Sequence, residues 1–264
     1  DQLVAFHSEE EAEIKNEKLK MKNYGVPTSV GTTIVELHNQ LRSVECAVAS
    51  TKKIIELVRK TKRPAYICHV STKEEIELVR QAKAEQLPVY LEIAPHHMFL
   101  DTENAGELGN LAKVNPPIRT PADRIACFEA VKLGLADTVG SDHAPHTMAE
   151  KALPYEQAPA GIPGVETSRP LLLDAVARGE LTLDRVVEIT ATNPARVFHL
   201  ERRGVIAPGF FADLVIVNLN LTSSVKNSKL STKCGWSPFD GWKLKGAIVA
   251  TIVNGRIVFK KELS

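Results

Sequence analysis

The feature that most limits how this chain can fold is a regular alternation of short apolar runs and amphipathic stretches. Apolar runs of strand length occupy residues 3–6, 65–70, 88–93 and 136–140. Apolar residues at helical spacing occupy residues 32–60, 71–82 and 121–134. Because strands and helices alternate in this way, the sequence predicts βα units around a parallel sheet.

The expected fold class is α/β, with two regions. Residues 1–203 are predicted to form a TIM-type (β/α) barrel portion, and residues 204–264 a small C-terminal β domain. In the second region, Asn254-Gly255 between apolar runs indicates a β-hairpin. Within the barrel, a helix is expected from Ser8 to about Lys22, with Ser8 and Glu11 as a possible capping box. Ile125, Phe128 and Val131 are expected to face inward from the helix over 121–134.

Composition excludes several classes of protein. Among 264 residues, 44% are hydrophobic and 25% charged, which is usual for a globular protein, and the net charge of +1 gives no reason to expect a nucleic acid partner. No apolar run approaches the length of a membrane span, and no signal-peptide pattern begins the chain. The four cysteines are widely spaced without a C-x-x-C motif, which favours reduced thiols and a cytoplasmic protein.

Ionisable side chains follow three of the predicted strands. His7 and His69 lie at the ends of two of them, and Asp142 ends the stretch Val-Gly-Ser-Asp over 139–142. Each alone has an ordinary explanation, since a histidine there is more often simply hydrogen-bonded and Asp142 could cap the next helix. Because parallel strand tips converge in a barrel, the three together predict a zinc site that would activate water near neutral pH.

Two loops carry further candidates for ligand binding. Prolines on the C-terminal side of Asn115 hold that amide in an extended loop, which suits ligand recognition, although a proline-stiffened surface turn is the alternative. The long segment over 151–165 contains glycines at positions 161 and 164, whose backbone amides could approach a ligand closely.

Several motifs resemble those of one enzyme family. They are Cys-His-Val-Ser-Thr over 68–72, Ala-Pro-His-His over 94–97, Val-Asn-Pro-Pro-Ile-Arg over 114–119, Asp-His-Ala-Pro-His over 142–146, Ala-Asp-Leu-Val-Ile over 212–216 and Ser-Pro-Phe-Asp-Gly-Trp over 237–242. Together they resemble dihydroorotases of the bacterial class I type, in the amidohydrolase superfamily. The resemblance runs along the whole chain, and the Ala-Asp-Leu-Val-Ile element is the least specific of the six.

The resemblance implies an activity and a role for particular residues. Dihydroorotases interconvert N-carbamoyl-L-aspartate and L-dihydroorotate at a binuclear zinc centre, in pyrimidine biosynthesis. His7 and His69 match ligands of the more exposed zinc, and Asp142 matches the carboxylate that binds the buried zinc and transfers the proton. The matches to substrate-binding positions are Asn115, His146, Ala160 and Gly161. A homo-oligomer, or association with a carbamoyltransferase, is a further expectation from the resemblance.

The chain also departs from the family pattern. It has no His-x-His-x-Arg motif and begins at Asp1 rather than at a methionine. By analogy with the family, we therefore expect the C-terminal part of a longer enzyme, with the later strands of the barrel. This part alone would not bind two metals or turn over substrate. Two alternatives remain: an allantoinase or hydantoinase, which would share the metal site but differ at Asn115 and His146, and a metal-free homologue that acts as a structural partner.

Overall fold

Four parallel strands form the central sheet in a computed structural model, which describes residues 2–16 and 32–261. The strands are β1 (Val4–Phe6), β2 (Ala65–Ile67), β3 (Val89–Ile93) and β4 (Thr138–Val139), and each pairs with the next in chain order. Phe6 is level with Ile67, and Ile67 with Leu91, so β1 and β2 end at the same level, and β3 continues two residues further to Ile93. This arrangement confirms the predicted parallel sheet and is an arc of a TIM-type barrel.

Helices connect the strands and cover one face of the sheet. They are α1 (Ile34–Leu41), α2 (Val44–Thr61), α3 (Lys73–Ala84), α4 (Pro95–Phe99), α5 (Pro121–Lys132), α6 (Met148–Lys151), α7 (Val165–Ala177), α8 (Leu183–Val187) and α9 (Asn193–Val197). Short 3₁₀ helices occupy Gly106–Ala112 and Asn227–Lys229, and a π-helical turn occupies Glu188–Thr192. Reciprocal capping boxes at Thr33, Thr120 and Thr147 satisfy the first backbone N–H groups of α1, α5 and α6.

The main core lies between the sheet and its helices. Ile67, Leu91 and Ile93 of the strands are fully buried, and Val79 of α3 packs into the same cluster. Each such side chain contributes roughly 1.5–3 kcal/mol on burial relative to full exposure. The helix-sheet interface therefore accounts for much of the stability of the strands that end at the candidate site.

One local prediction was wrong, and another needs a finer description. Residues 32–60 are helical for most of their length, as predicted, but they form two helices, because the chain turns at Arg42, whose carbonyl accepts a hydrogen bond from Arg119. Ile125 is 52% exposed rather than inward-facing. The helix predicted after Ser8 is observed over 11–16, and its remainder lies outside the described residues. The hydroxyl of Ser8 lies 2.7 Å from that of Thr51, and the capping box of Ser8 and Glu11 stays a prediction.

The C-terminal region is an antiparallel sheet of β5 (Leu214–Ser224), β6 (Lys243–Val253) and β7 (Arg256–Lys260). The predicted hairpin at Asn254-Gly255 joins β6 to β7, and both residues have positive φ, at 49° and 76°. The sheet is attached to the barrel through α7, where Asp174 accepts a hydrogen bond from the backbone N–H of Lys245 at 2.7 Å. Together the two sheets confirm the α/β fold class.

None of the helices over 2–16 and 32–261 has both the length and the apolar character to span a bilayer.

Glu92 links three neighbouring strands just below the site. Its carboxylate accepts hydrogen bonds from the Tyr66 hydroxyl at 2.7 Å and from the backbone N–H of His69 at 3.0 Å. On the other side, a Cβ atom at position 140 would lie 2.1 Å from Glu92 Oε2, so only glycine fits there. The position of the Glu92 side chain thus depends on a glycine at position 140, directly after β4.

We expect the substitution Gly140→Ala to destabilise the protein by about 1–3 kcal/mol, because the new methyl group would displace Glu92 from its hydrogen bonds. Gly106→Ala is the matched control, since its Cβ would make ordinary contact at 3.5 Å with Thr33 Cγ2 and its φ is not in the left-handed region. Denaturant unfolding of both variants measures the effect. Equal stability of the two variants would contradict the tight packing of Glu92 against position 140.

Candidate active site

The ionisable residues predicted from the sequence lie along the carboxyl edge of the parallel sheet. His7 directly follows β1, His69 follows β2 by two residues, and Asp142 follows β4 by three. His69 and Asp142 both have left-handed backbones, with φ of 37° and 45°. Such backbones cost about 1–3 kcal/mol each and are concentrated at functional sites, so their presence at two strand ends supports a functional role for this edge.

His7 and His69 are in direct contact. His7 Nδ1 lies 3.1 Å from His69 Nε2, and the rings meet edge to face. Two imidazole nitrogens that bind one tetrahedral zinc ion are about 3.3 Å apart, as follows from Zn–N bonds of about 2.0–2.1 Å. The observed separation therefore fits two ligands that share a metal ion.

Glu9 orients His7 from behind. Glu9 Oε2 lies 2.9 Å from His7 Nε2 and also accepts a hydrogen bond from the Arg42 guanidinium. Burial raises the pKa of Glu9, but the hydrogen bond from His7 and the charge of Arg42 outweigh it, and the net pKa is lowered. The carboxylate is therefore ionised at neutral pH and favours a proton on His7 Nε2. His7 Nδ1 then has no proton, and its lone pair can bind a metal ion.

Asp142 lies on the far side of His69, next to His96. Asp142 Oδ2 is 3.9 Å from His96 Nε2, and the charge of Asp142 favours the protonated forms of both His69 and His96. Burial lowers the pKa of His96 to about 4, so this imidazole is neutral. Among the described residues, neither His96 Nε2 nor His69 Nδ1 has a hydrogen-bond partner.

The donor types fit zinc, but the described part of the chain does not assemble a complete site. Over residues 2–16 and 32–261, no three histidine, cysteine, aspartate or glutamate side chains converge closely enough to hold a metal ion. The His7–His69 pair provides two imidazole donors, and Asp142 provides a nearby carboxylate. Borderline nitrogen donors with a carboxylate are typical of catalytic zinc sites.

Three segments meet beside this edge and bring the predicted substrate-binding residues together. Gly161 donates its backbone N–H to Lys113 O at 2.9 Å, two residues before Asn115. The stretch after Asp142 pairs with the same loop, since Ala144 donates to Ile162 O at 3.1 Å. Gly161 lies against His146, where a Cβ would be 3.1 Å from the ring, and Ala160 precedes it in a half-buried position. Thus Asn115, His146, Ala160 and Gly161 lie on adjoining segments.

Two buried lysines hold the loop over 152–164 in place. Lys113 Nζ donates to Tyr155 O and Ala158 O, both at 2.6 Å. Lys151 Nζ donates to Lys113 O at 3.1 Å and to Pro159 O and Gly161 O, each at 3.0 Å. Burial, together with the charge of Lys113, lowers the pKa of Lys151 to about 8. The two ammonium groups therefore fix the backbone of this loop through hydrogen bonds to its carbonyl oxygens.

Asn115 is held by a buried histidine from α1. His38 Nε2 lies 2.9 Å from Asn115 Oδ1 and 3.0 Å from Val114 O, while His38 Nδ1 lies 2.5 Å from the Tyr155 hydroxyl. Burial lowers the pKa of His38 to about 4, and its hydrogen bond to Asn115 opposes this only in part. At neutral pH the ring is therefore uncharged.

With this geometry in view, the comparisons with known proteins are decisive for the family. A model of the amidohydrolase family matches residues 3–258. The chain belongs to the amidohydrolase family. Curated relatives of this amidohydrolase include a dihydroorotase from Pyrococcus furiosus, 38% identical over 215 residues, which cover 81% of this chain and 50% of the relative. A dihydroorotase from Methanosphaera stadtmanae is 34% identical over 256 residues, with 97% and 58% covered.

Solved structures agree on the fold. An L-hydantoinase (dihydropyrimidinase) from Arthrobacter aurescens superimposes on the amidohydrolase with a TM-score of 0.91 and 30% identity, covering 98% of this chain and 57% of the other. A D-hydantoinase from a Thermus species gives a TM-score of 0.89 at 26% identity, with the same coverage. The chain spans about half the length of the curated dihydroorotases that it matches first.

Sequence reasoning missed several residues that build the site of this amidohydrolase. Glu9, His38, Glu92 and Lys151 had no assigned role, although each is central to a contact described above. For Glu92 a signal existed, since it is a carboxylate within a strand whose alternate residues Val89, Leu91 and Ile93 are buried. For His38 there was none, because only the folded chain brings it to Asn115, 77 residues further along.

The pKa of His38 predicts how stability depends on pH. Its folded pKa of about 4 lies below the unfolded value of about 6.5, so the unfolded chain binds more protons between these values, and stability should fall as the pH drops through that window. We expect the stability difference between wild type and His38→Gln to shrink by about 3 kcal/mol from pH 7 to pH 4.

Denaturant unfolding at both pH values measures this difference. His199→Asn, a change at an exposed histidine, is the control and should track wild type at both pH values. If the gap between wild type and His38→Gln is the same at pH 4 and pH 7, His38 is not held neutral by the fold.

Proposed function

We propose that this amidohydrolase chain carries site residues of a zinc-dependent dihydroorotase, which interconverts N-carbamoyl-L-aspartate and L-dihydroorotate in pyrimidine biosynthesis. The observation that carries the proposal is the convergence of His7 Nδ1 and His69 Nε2, at 3.1 Å, beside the strand that ends in Asp142. Similarity to curated dihydroorotases of 34–42% identity along most of the chain supports the choice of substrate.

In this proposal His7 and His69 hold one zinc ion, and Asp142 binds a second in a binuclear centre. Zinc supplies a Lewis acid that polarises the amide carbonyl and lowers the pKa of water. The chain contributes the orientation of both imidazoles: Glu9 fixes His7, and Glu92 fixes the backbone of His69. Residues 1–203 form the catalytic barrel portion in this scheme, and residues 204–264 form the β domain.

Asp142 is proposed as the proton-transfer group. It is partly exposed at the strand end, so a substrate can reach its carboxylate. In the hydrolytic direction Asp142 takes a proton from the attacking water and passes it to the ring nitrogen that leaves. The neutral, buried His96 beside it excludes water from one side of the carboxylate and adds no competing positive charge.

The substrate carboxylate is assigned to the adjoining loops. Asn115 can donate from its amide and His146 from a ring nitrogen. The backbone of Ala160 and Gly161 adjoins both side chains, and the Gly161 N–H is itself donated to Lys113 O. Such donors pair with a carboxylate, which dihydroorotate carries on its ring and dihydrouracil and hydantoin lack. A site built for a charged group discriminates strongly against a substrate without it, because its donors are then unpaired.

A hydantoinase-type cyclic amidase is the second candidate. It is favoured by the solved hydantoinase structures, of which one reaches a TM-score of 0.91. The two candidates share the metal-binding edge and differ in whether the loops bind a substrate carboxylate. Association with a carbamoyltransferase, a homo-oligomeric state and a cytoplasmic location stay predictions from the sequence.

We predict that the full-length protein hydrolyses dihydroorotate at least about 100-fold better, in kcat/KM, than dihydrouracil. Asn115→Ala and His146→Ala should shrink this preference, mainly by lowering kcat/KM for dihydroorotate. Steady-state kinetics on both substrates in wild type and the two variants provide the measurement.

The surface variant Asp184→Asn serves as the control and should keep the wild-type preference, since Asp184 is exposed at the start of α8. Equal efficiency on the two substrates in wild type would remove the argument for carboxylate recognition and favour the hydantoinase-type activity.

A further inference from the structure

A hydrogen-bonded chain runs from the loop over 152–164 through a buried histidine to Asn115. Its members are the Tyr155 hydroxyl, the His38 ring and the Asn115 side-chain carbonyl, joined by contacts of 2.5 and 2.9 Å. His38 is 4% exposed, and Asn115 is the one residue of the stretch 112–119 that is not buried. The chain therefore ends at a side chain that a ligand can reach.

The contacts fix the direction of every hydrogen bond in this chain. Val114 O can only accept, so His38 Nε2, which lies 3.0 Å from it, must carry a proton. The same N–H faces the Asn115 side chain, whose nearer atom must then be the oxygen rather than the amide nitrogen. In the neutral ring Nδ1 has no proton, so it accepts from the Tyr155 hydroxyl.

This direction has a consequence for Asn115. Because its Oδ1 accepts a hydrogen bond from His38, the amide of Asn115 offers its two N–H groups to other partners. If the amide were reversed, its N–H would face the N–H of His38, which is an unfavourable arrangement of two donors. The free end of Asn115 is therefore a donor of hydrogen bonds only, which suits an anionic group and disfavours a cationic one.

The charges around His38 also favour its neutral form. Arg42 and Lys113 both disfavour a proton on the second ring nitrogen, and burial does so more strongly. Lys113 also lies with its ammonium 4.2 Å from the Tyr155 ring centroid and donates to Tyr155 O. Lys113 thus helps to hold the loop position of Tyr155 and adds to the effect of burial in keeping His38 neutral.

We propose that His38 is a positioning residue for substrate specificity, which holds Asn115 with its amide N–H groups towards the substrate carboxylate. The Tyr155 hydroxyl, on the loop, holds His38 in turn by donating to its Nδ1. The proposal rests on the proposed role of Asn115 in binding that carboxylate. His38 itself does not touch the substrate and acts through Asn115. Tyr155 couples the orientation of Asn115 to the loop that carries Ala160 and Gly161.

The first test is kinetic and uses the full-length protein with dihydroorotate and dihydrouracil. His38→Leu should raise KM for dihydroorotate by about 10-fold or more, with a much smaller effect on dihydrouracil, since Asn115 then loses its fixed orientation. His38→Gln, whose amide N–H can take the place of Nε2–H, should restore most of the loss. His199→Asn is the control at an exposed histidine and should leave both substrates unaffected.

A double-mutant comparison separates positioning from a general structural effect. In the Asn115→Ala background, His38→Leu should change kcat/KM for dihydroorotate by less than about 2-fold, because its target is already absent. If His38→Leu costs the same factor with and without Asn115, or lowers efficiency equally on both substrates, His38 does not act through Asn115 and the proposal is overturned.

A second measurement keeps the inference separate from the proposed function. Nitrogen NMR of histidine-labelled protein at pH 7 should show His38 as the neutral Nε2–H tautomer. An Nδ1–H tautomer would overturn the proposal, because such a ring cannot donate to Asn115. If Asn115→Ala leaves dihydroorotate turnover unchanged, the carboxylate site of the proposed function fails, and the tautomer still decides whether His38 orients Asn115.

Discussion

Parallel pairing of short strands in chain order is the constraint on which the site depends. Because Phe6, Ile67 and Leu91 are level across the sheet, the residues that follow β1, β2 and β3 emerge at one edge. The apolar packing of the strands against the helices stabilises this register, and a slip by one residue would turn each side chain to the opposite face. The contact between His7 and His69 follows directly from this alignment.

Buried polar groups then set the finer geometry of the edge. Glu92 ties the backbone of His69 to β3 and Tyr66, Glu9 orients His7, and Lys151 holds the loop beside His146. Such groups are costly to bury unless their hydrogen bonds are made, so the arrangement is stable only when all partners are in place. The amidohydrolase fold supplies the strand ends, while these buried contacts decide which atoms face a ligand.

The sequence allowed the strands, the hairpin and the residues at the strand ends to be predicted, because periodicity and turn chemistry are local signals. The break at Arg42 and the exposure of Ile125 were not predictable in this way, since both depend on which face of a helix meets a distant segment. The same reason applies to the site. His7, His69 and Asp142 could be recognised by their place after strands, whereas the partnership of His38 with Asn115 and Tyr155 joins segments far apart in the chain.

The central claim, that His7 and His69 share a metal ion, is tested most directly by anomalous scattering at the zinc edge from crystals of the full-length protein. The account predicts a peak bonded to both imidazoles and a zinc content that falls sharply in His7→Ala and His69→Ala but not in His199→Asn. Zinc-supplied crystals of the folded protein that show no peak beside His7 and His69 would contradict it.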